Sequence, residues 1–189
     1  MVFTEKDVKQ LLQGALEQAQ SQPDAGETTQ RININRSRYW VKALAEQFKK
    51  RYEGDSEIRV FSKTDPSNRK DFGLNELLYD VLVCKVGEVA SFVHGKKLLF
   101  IKEVLWQVES EFAHNSRSTL ADFNKLVLGS GKNKLFICSQ VKKGEEKSFL
   151  SVLQPAAGYC TGDVYVGMIP HPARWVDINN DVHLWVFKK

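Results

Sequence analysis

"LLFIKEVLWQVESEF" spans Leu98–Phe112. An apolar run that ends in alternating polar positions reads as one long strand. On strict alternation Leu105, Gln107, Glu109 and Glu111 share one face, and Trp106, Val108 and Phe112 share the other. The apolar side has an obvious use, which is packing against a helix. The side with two glutamates needs an explanation. Either it faces water, or something positive sits between the acids.

Working backwards, "LLYDVLVCKV" (77–86) is apolar apart from Asp80 and Lys85 and reads as a second strand, with Glu76, Leu78, Asp80 and Leu82 on one face. A turn near Gly95 would join the two strands as a hairpin. A strand at 57–63 and a polar loop at 64–73 precede it. Before these stand two helices. "TEKDVKQLLQGALEQAQ" (4–20) has a cap-like Thr4/Asp7 pair and helical spacing of Val8, Leu11, Leu12, Ala15 and Leu16. The second, over about 37–53, repeats Trp40, Leu44, Phe48 and Tyr52, and Gly54 ends it. The loop "SQPDAGETTQ" separates them.

Working forwards, "STLADFNKLVLG" (118–129) reads as a helix with Ser118 as N-cap and Gly129 at its end. "NKLFICSQV" (133–141) is a buried strand, "EEKSFLSVLQ" (145–154) a short helix stopped by Pro155, and "DVYVGMI" and "DVHLWVF" are closing strands. A hairpin followed by helix–strand crossovers implies an α/β fold, a mixed β-sheet flanked by helices.

Composition agrees with a packed core. The chain has 189 residues, 42% hydrophobic and 11% aromatic, which excludes a disordered chain. No apolar run approaches the roughly 18 residues of a membrane span. No membrane partner is expected, and a cytoplasmic location is the default. Cys84, Cys138 and Cys160 read as reduced buried thiols. His94, His114, His171 and His183 are scattered, and none has zinc-ligand spacing with a cysteine. The net charge of +4 is mild, but residues 31–53 concentrate Arg31, Arg36, Arg38, Lys42, Lys49, Lys50 and Arg51 against Glu46 and Glu53. This segment reads either as a phosphate-facing surface or as a solvated helix face.

Asp80 is the most informative acid. Buried without a partner, it would cost several kcal/mol (roughly). Three solutions are open: a metal site shared with Glu109 and Glu111, an ion pair with Lys102 or Lys125, or an exposed strand. Three carboxylates on one patch suit a hard cation, Mg²⁺ or Mn²⁺. Such a cation polarises phosphate oxygens and lowers the pKa of bound water, which is phosphodiester chemistry. A glycosidase pair fits less well, because glutamates at i and i+2 do not flank a substrate.

In "LLYDVLV", "VESEF", "STLADFNKLVLG" and "KLFICS" the sequence resembles the restriction-endonuclease-like superfamily, written PD-(D/E)XK. The resemblance covers roughly 75–141 and rests on a degenerate motif in a characteristic order. It implies one nuclease-like domain over 1–189, with 1–30 as an N-terminal helix and loop and the core over about 37–189. It implies Asp80 and Glu109 as metal ligands, with Glu111 as a further ligand or base and Glu76 as a possible fourth acid. The chain departs from the pattern at the lysine, where Glu111 stands. Lys125 on the following helix is the implied substitute; its simpler reading is an i, i+3 ion pair with Asp122. A further acid from the first core helix, Glu46 or Glu53, is also implied. Gln107 is a candidate for orienting water or phosphate.

The function implied is a Mg²⁺-dependent nuclease, with DNA as the expected nucleic acid. Arg36, Arg38, Lys42 and Lys49 on the helix, with Lys63, Arg69 and Lys70 in "KTDPSNRK", are the candidate backbone contacts. A homodimer would allow two strands to be cut. The missing lysine leaves a second expectation: a non-catalytic nucleic-acid- or protein-binding module on the same fold.

Overall fold

The computed structural model describes residues 3–93, 95–113, 115–175 and 181–188. His94 and His114 lie outside them. Among the described residues six strands form one mixed sheet in sequence order. They are β1 (Ile58–Ser62), β2 (Val81–Ala90), β3 (Lys97–Glu111), β4 (Asn133–Ser139), β5 (Asp163–Ile169) and β6 (His183–Phe187). The first three run as an antiparallel meander, β3, β4 and β5 are parallel, and β6 returns antiparallel to β5. The expected α/β class, a mixed sheet flanked by helices, is what the chain forms.

Helices α1 (Glu5–Gln20) and α2 (Thr29–Arg51) cover one face; α4 (Ser116–Leu128) and α5 (Glu146–Ala157) cover the other. A four-residue helix, α3 (Arg69–Phe72), lies in the loop after β1. The first core joins Leu12, Leu16, Trp40, Leu44 and Phe48 to Val81, Val83, Trp106, Val108 and Ile137. The second joins Leu82, Cys84, Phe136, Cys138 and Val166 to Phe123, Leu126 and Leu153. All three cysteines are buried. Strands β4 and β5 meet helices on both faces, so Leu135–Cys138 and Val164–Val166 are unbroken buried runs. Helix α1 contributes to the first core, and Leu12 reaches the space beside Gly167 on β5.

Several boundaries differ from those the sequence predicts. The capping box of Thr4 and Asp7 starts α1 as expected. Helix α2 begins two turns before residue 37, because the Thr28 side chain accepts from the Arg31 amide and caps it. Helix α4 is capped by Asn115 rather than Ser118; Asn115 Oδ1 accepts from the Ser118 amide. Helix α5 runs through Pro155 to Ala157. The strand expected over 77–86 starts only at Val81, because Leu78 adopts a left-handed φ of 64° and leaves the Tyr79 amide to bond Leu77 O.

Strand β3 carries the fold's largest irregularity. Its register with β2 slips between Val83/Cys84 and again between Lys85/Val86, which leaves Leu105 and Lys102 as extra residues on β3. Strict alternation therefore holds only from Trp106 onward, the segment that positions the acids. Among the described residues no helix is long and apolar enough to cross a membrane.

Candidate active site

The carboxyl end of β3 lies beside the start of β2. Val81 pairs with Val108, so Asp80 and Glu109 are the next positions along the two strands. Glu109 Cα pairs in register with Phe136 of β4, on the side of the sheet covered by α4. Alternation from Trp106 thus sends Val108 into one core and Glu109 toward the other.

Glu109 is 2% exposed. One carboxylate oxygen, Oε2, accepts from Lys125 Nζ at 3.1 Å. The other, Oε1, is buried without a hydrogen-bond partner. Burial, reinforced by the negative charge of Asp80, pushes the Glu109 carboxyl up to about 8, against the pull of Lys125. Lys125 projects from α4 and bonds two acids, Glu109 and, at 2.7 Å, Asp122. Lys125 thus makes the i, i+3 ion pair with Asp122 that its simpler reading expects and also reaches the β3 acid Glu109. Its side chain is 48% exposed, against 3% for Glu109. Partial burial disfavours its charge, but Asp122 and Glu109 outweigh this and hold the ammonium above its ordinary range.

Asp80 stands before β2 in the bend that follows Leu78, and its Oδ2 accepts from the Ser110 amide at 2.9 Å. Ser110 is fixed in turn by the Trp40 indole N–H on α2, which donates to its hydroxyl at 3.2 Å. Burial pushes the Asp80 carboxyl up; the Ser110 amide and Lys125 oppose the rise, and Glu76 adds to it. The charge opposing Asp80 is thus Lys125. Lys102, the alternative, is an exposed residue at the bulge of β3. Tyr79 donates to Lys125 O at 3.3 Å and ties the bend to α4.

Glu111 does not join this group. Its Oε1 accepts from the Ala113 amide at 2.6 Å, and its carboxyl is hydrogen-bonded to Asp122. Burial and then Asp122 push Glu111 up, while Lys125 and Glu111 bring Asp122 below its ordinary value despite its own burial. Of these two carboxyls, Glu111 is therefore the one shifted toward its protonated form and Asp122 the one shifted toward its charged form. Among the described residues no three His, Cys, Asp or Glu side chains form a group able to hold a metal ion. The three-carboxylate patch is thus corrected to two adjacent pairs, Asp80 with Glu109 and Glu111 with Asp122, with Lys125 bonded to a member of each.

A cleft of ≈ 340 Å³ opens on Asp80, lined by Ser110, Glu76, Arg38, Lys63 and Phe112 among others. Glu76 is exposed on it. The basic candidates separate on structural grounds. Arg38 and Lys63 are exposed and reach the cleft; Arg69 lies beside Lys63 in a neighbouring depression, and Lys42 and Lys70 are exposed. Arg36 is buried, paired with Asp24 and donating to Pro172 O at 2.7 Å, so it is a structural cation. Lys49 is engaged by Asp65.

The remaining acids lie elsewhere. Glu46 accepts from Gln18 across the α1–α2 contact, and Glu53 is exposed beyond the end of α2. Gln107 is buried and accepts from the Gly131 amide at 2.8 Å, locking the loop between α4 and β4 rather than orienting a water. Ser110 and Trp40 are positioning residues that side-chain pattern alone does not reveal, because the hydrogen bond to Asp80 comes from a backbone amide. No family model matches the chain, and no curated protein or solved structure matches it.

Proposed function

We propose that this chain is a metal-dependent phosphodiesterase acting on nucleic acid, with DNA as the expected substrate and Asp80, Glu109 and Lys125 at its centre. The observation that carries the reading is the buried, unpartnered Oε1 of Glu109 beside a second half-buried carboxylate. A buried carboxylate oxygen without a donor is costly unless a cation serves it. The order of α2, the antiparallel β1–β3 meander, α4 and the parallel β4 is also the order that the PD-(D/E)XK resemblance implies.

Mg²⁺ or Mn²⁺ fits this donor set as an ion held by Asp80 and Glu109 with water completing its shell, since Mg²⁺ characteristically takes one or two carboxylates. A cage that includes Glu111 does not fit, because that carboxyl is committed to Asp122 and Ala113. A bound cation would supply positive charge to a phosphate oxygen. The chain's own groups supply the rest. Lys125 remains an ammonium at neutral pH and can stabilise negative charge developing on phosphate. The Ser110 amide holds the Asp80 carboxylate in place. Arg38 and Lys63 give the cleft a positive rim for the nucleic-acid backbone.

The engagement of Glu111 with Asp122 favours a second reading, a nucleic-acid-binding module that does not cut. Incubating plasmid and oligonucleotides with the protein and Mg²⁺ or Mn²⁺ separates the two. The nuclease reading requires cleavage that disappears in Asp80→Ala and Glu109→Gln. Equal cleavage by wild type and Asp80→Ala sinks it. Salt-sensitive binding without cleavage supports the module.

A further inference from the structure

Helix α4 turns Phe123 and Leu126 into the second core, where both are fully buried. Asp122 and Lys125 each stand one position earlier, so they keep the same three-residue spacing at the edge of that buried stripe. Their side chains meet there, with Lys125 Nζ 2.7 Å from Asp122 Oδ1. An acid on the N-terminal side of a lysine is the favourable order for such a pair, because it agrees with the helix dipole.

Lys125 thus has two carboxylate partners, and they differ. Glu109 Oε2 lies farther off, at 3.1 Å, and belongs to another element, the carboxyl end of β3. Glu109 also neighbours Asp80, and in the proposed site it would serve a divalent cation. Lys125 and that cation carry like charge, so occupation of the site weakens the bond from Lys125 to Glu109. Asp122 has no such competitor. It is fixed from its other side by a hydrogen bond with the Glu111 carboxyl, whose Oε1 is in turn held by the Ala113 amide at 2.6 Å. Glu109 and Asp122 take two of the three ammonium N–H groups of Lys125. The third has no acceptor among the described residues, and the side chain is half exposed.

We infer that Asp122 is the positioning residue of Lys125: Asp122, rather than Glu109, anchors the ammonium beside the Asp80–Glu109 pair and leaves one N–H for a phosphate oxygen. Asp122 touches neither substrate nor reacting atoms and acts only through Lys125. Glu111 gains a place in the same chain of contacts, since its hydrogen bond fixes the Asp122 carboxylate that Lys125 needs. The use of Lys125 on phosphate rests on the nuclease reading; its anchoring by Asp122 does not.

Two measurements on the full chain test this. In ¹H–¹⁵N spectra that select lysine Nζ, an ammonium held by a carboxylate exchanges slowly enough to be seen, and absence of the signal in Lys125→Met assigns it. The Lys125 signal should survive Glu109→Gln and saturation with Mg²⁺. It should be lost in Asp122→Ala and Asp122→Asn, which remove the charge, and return in Asp122→Glu, which restores it. In steady-state cleavage of an oligonucleotide with Mg²⁺, Asp122→Ala should lower kcat at least about 30-fold while KM stays within about threefold of wild type. Asp122→Glu should recover most of that loss. Alanine is a good helix former, so α4 should stay folded, which thermal melting checks; the asparagine variant keeps one folding failure from deciding the result. A signal absent from wild type, or one kept in Asp122→Ala and lost in Glu109→Gln, overturns the inference. So does an Asp122→Ala variant that cleaves as fast as wild type. A wild type that does not cleave overturns the nuclease reading instead, and the Nζ signal still decides whether Asp122 is the anchor.

Discussion

Replacing Glu109 with glutamine should stabilise the fold at alkaline pH and leave it nearly unchanged in acid. Glu109 ionises at about 8 in the fold, against 4.5 for the unburied group, mainly because burial opposes its charge. Between those values the folded state binds more protons than the unfolded chain. Stability therefore falls as pH rises through 4.5 to about 8, and the loss is complete above that window. At about 1.36 kcal/mol per tenfold change, this rise corresponds to a destabilisation on the order of 5 kcal/mol at about pH 9. Because the side chain is 3% exposed, solvent screening takes little from that figure. Glutamine keeps the shape and cannot ionise. For a chain of this length, 1 kcal/mol moves Tm by about 2–4 °C, so Glu109→Gln should melt about 10–20 °C above wild type at about pH 9 and within a few degrees of it at about pH 4. Thermal unfolding followed by circular dichroism across pH measures this. Wild-type and Glu109→Gln curves that run parallel over the whole range would refute the reasoning, as would a variant less stable than wild type at about pH 9. Added Mg²⁺ should recover part of the alkaline loss in wild type only, since a cation served by the carboxylate favours its charged form.

Lys125→Met should leave Glu109 and Asp122 without their shared cation, lowering Tm above neutral pH and reducing cleavage at least about 100-fold; kinetics and melting on one preparation check both. Arg36→Ala should lower stability by about 1–3 kcal/mol, because it leaves the buried Pro172 carbonyl without its donor, while leaving the salt dependence of DNA binding unchanged. Arg38→Ala and Lys63→Ala should do the reverse, each reducing the slope of log K against log salt by about one. Gly129→Ala should cost about 1–3 kcal/mol, since its Cβ would fall 1.7 Å from Gln107 Nε2, a side chain held by the Gly131 amide; denaturant unfolding reads the change.

The order of the main elements was legible in the sequence because each has its own period or boundary signal, such as the apolar runs of β4 and β5 or the Thr4/Asp7 box. The adjacency of Asp80 and Glu109 was legible too, since it follows from strand pairing, whereas Lys125, expected opposite Asp80 or Asp122, bonds Glu109 as well as Asp122. What was hidden depends on tertiary contact or on single backbone angles. Arg36 reads like its basic neighbours until Pro172, distant in sequence, accepts its hydrogen bond. Glu111 shares a face with Glu109, yet Asp122 on α4 draws it away. Asp80 reads as a strand residue, and only the left-handed Leu78 places it in a bend. Strand alternation identified the acids but could not set their carboxylates' partners, because those come from α4 and from backbone amides.

A crystal soaked in Mn²⁺ and measured for anomalous scattering tests the central claim most directly. The account predicts one strong peak between the Asp80 and Glu109 carboxylates, within about 2.0–2.3 Å of an oxygen from each, and its loss in Asp80→Ala. No peak at those carboxylates, or a peak at Glu111 and Asp122 instead, would contradict it.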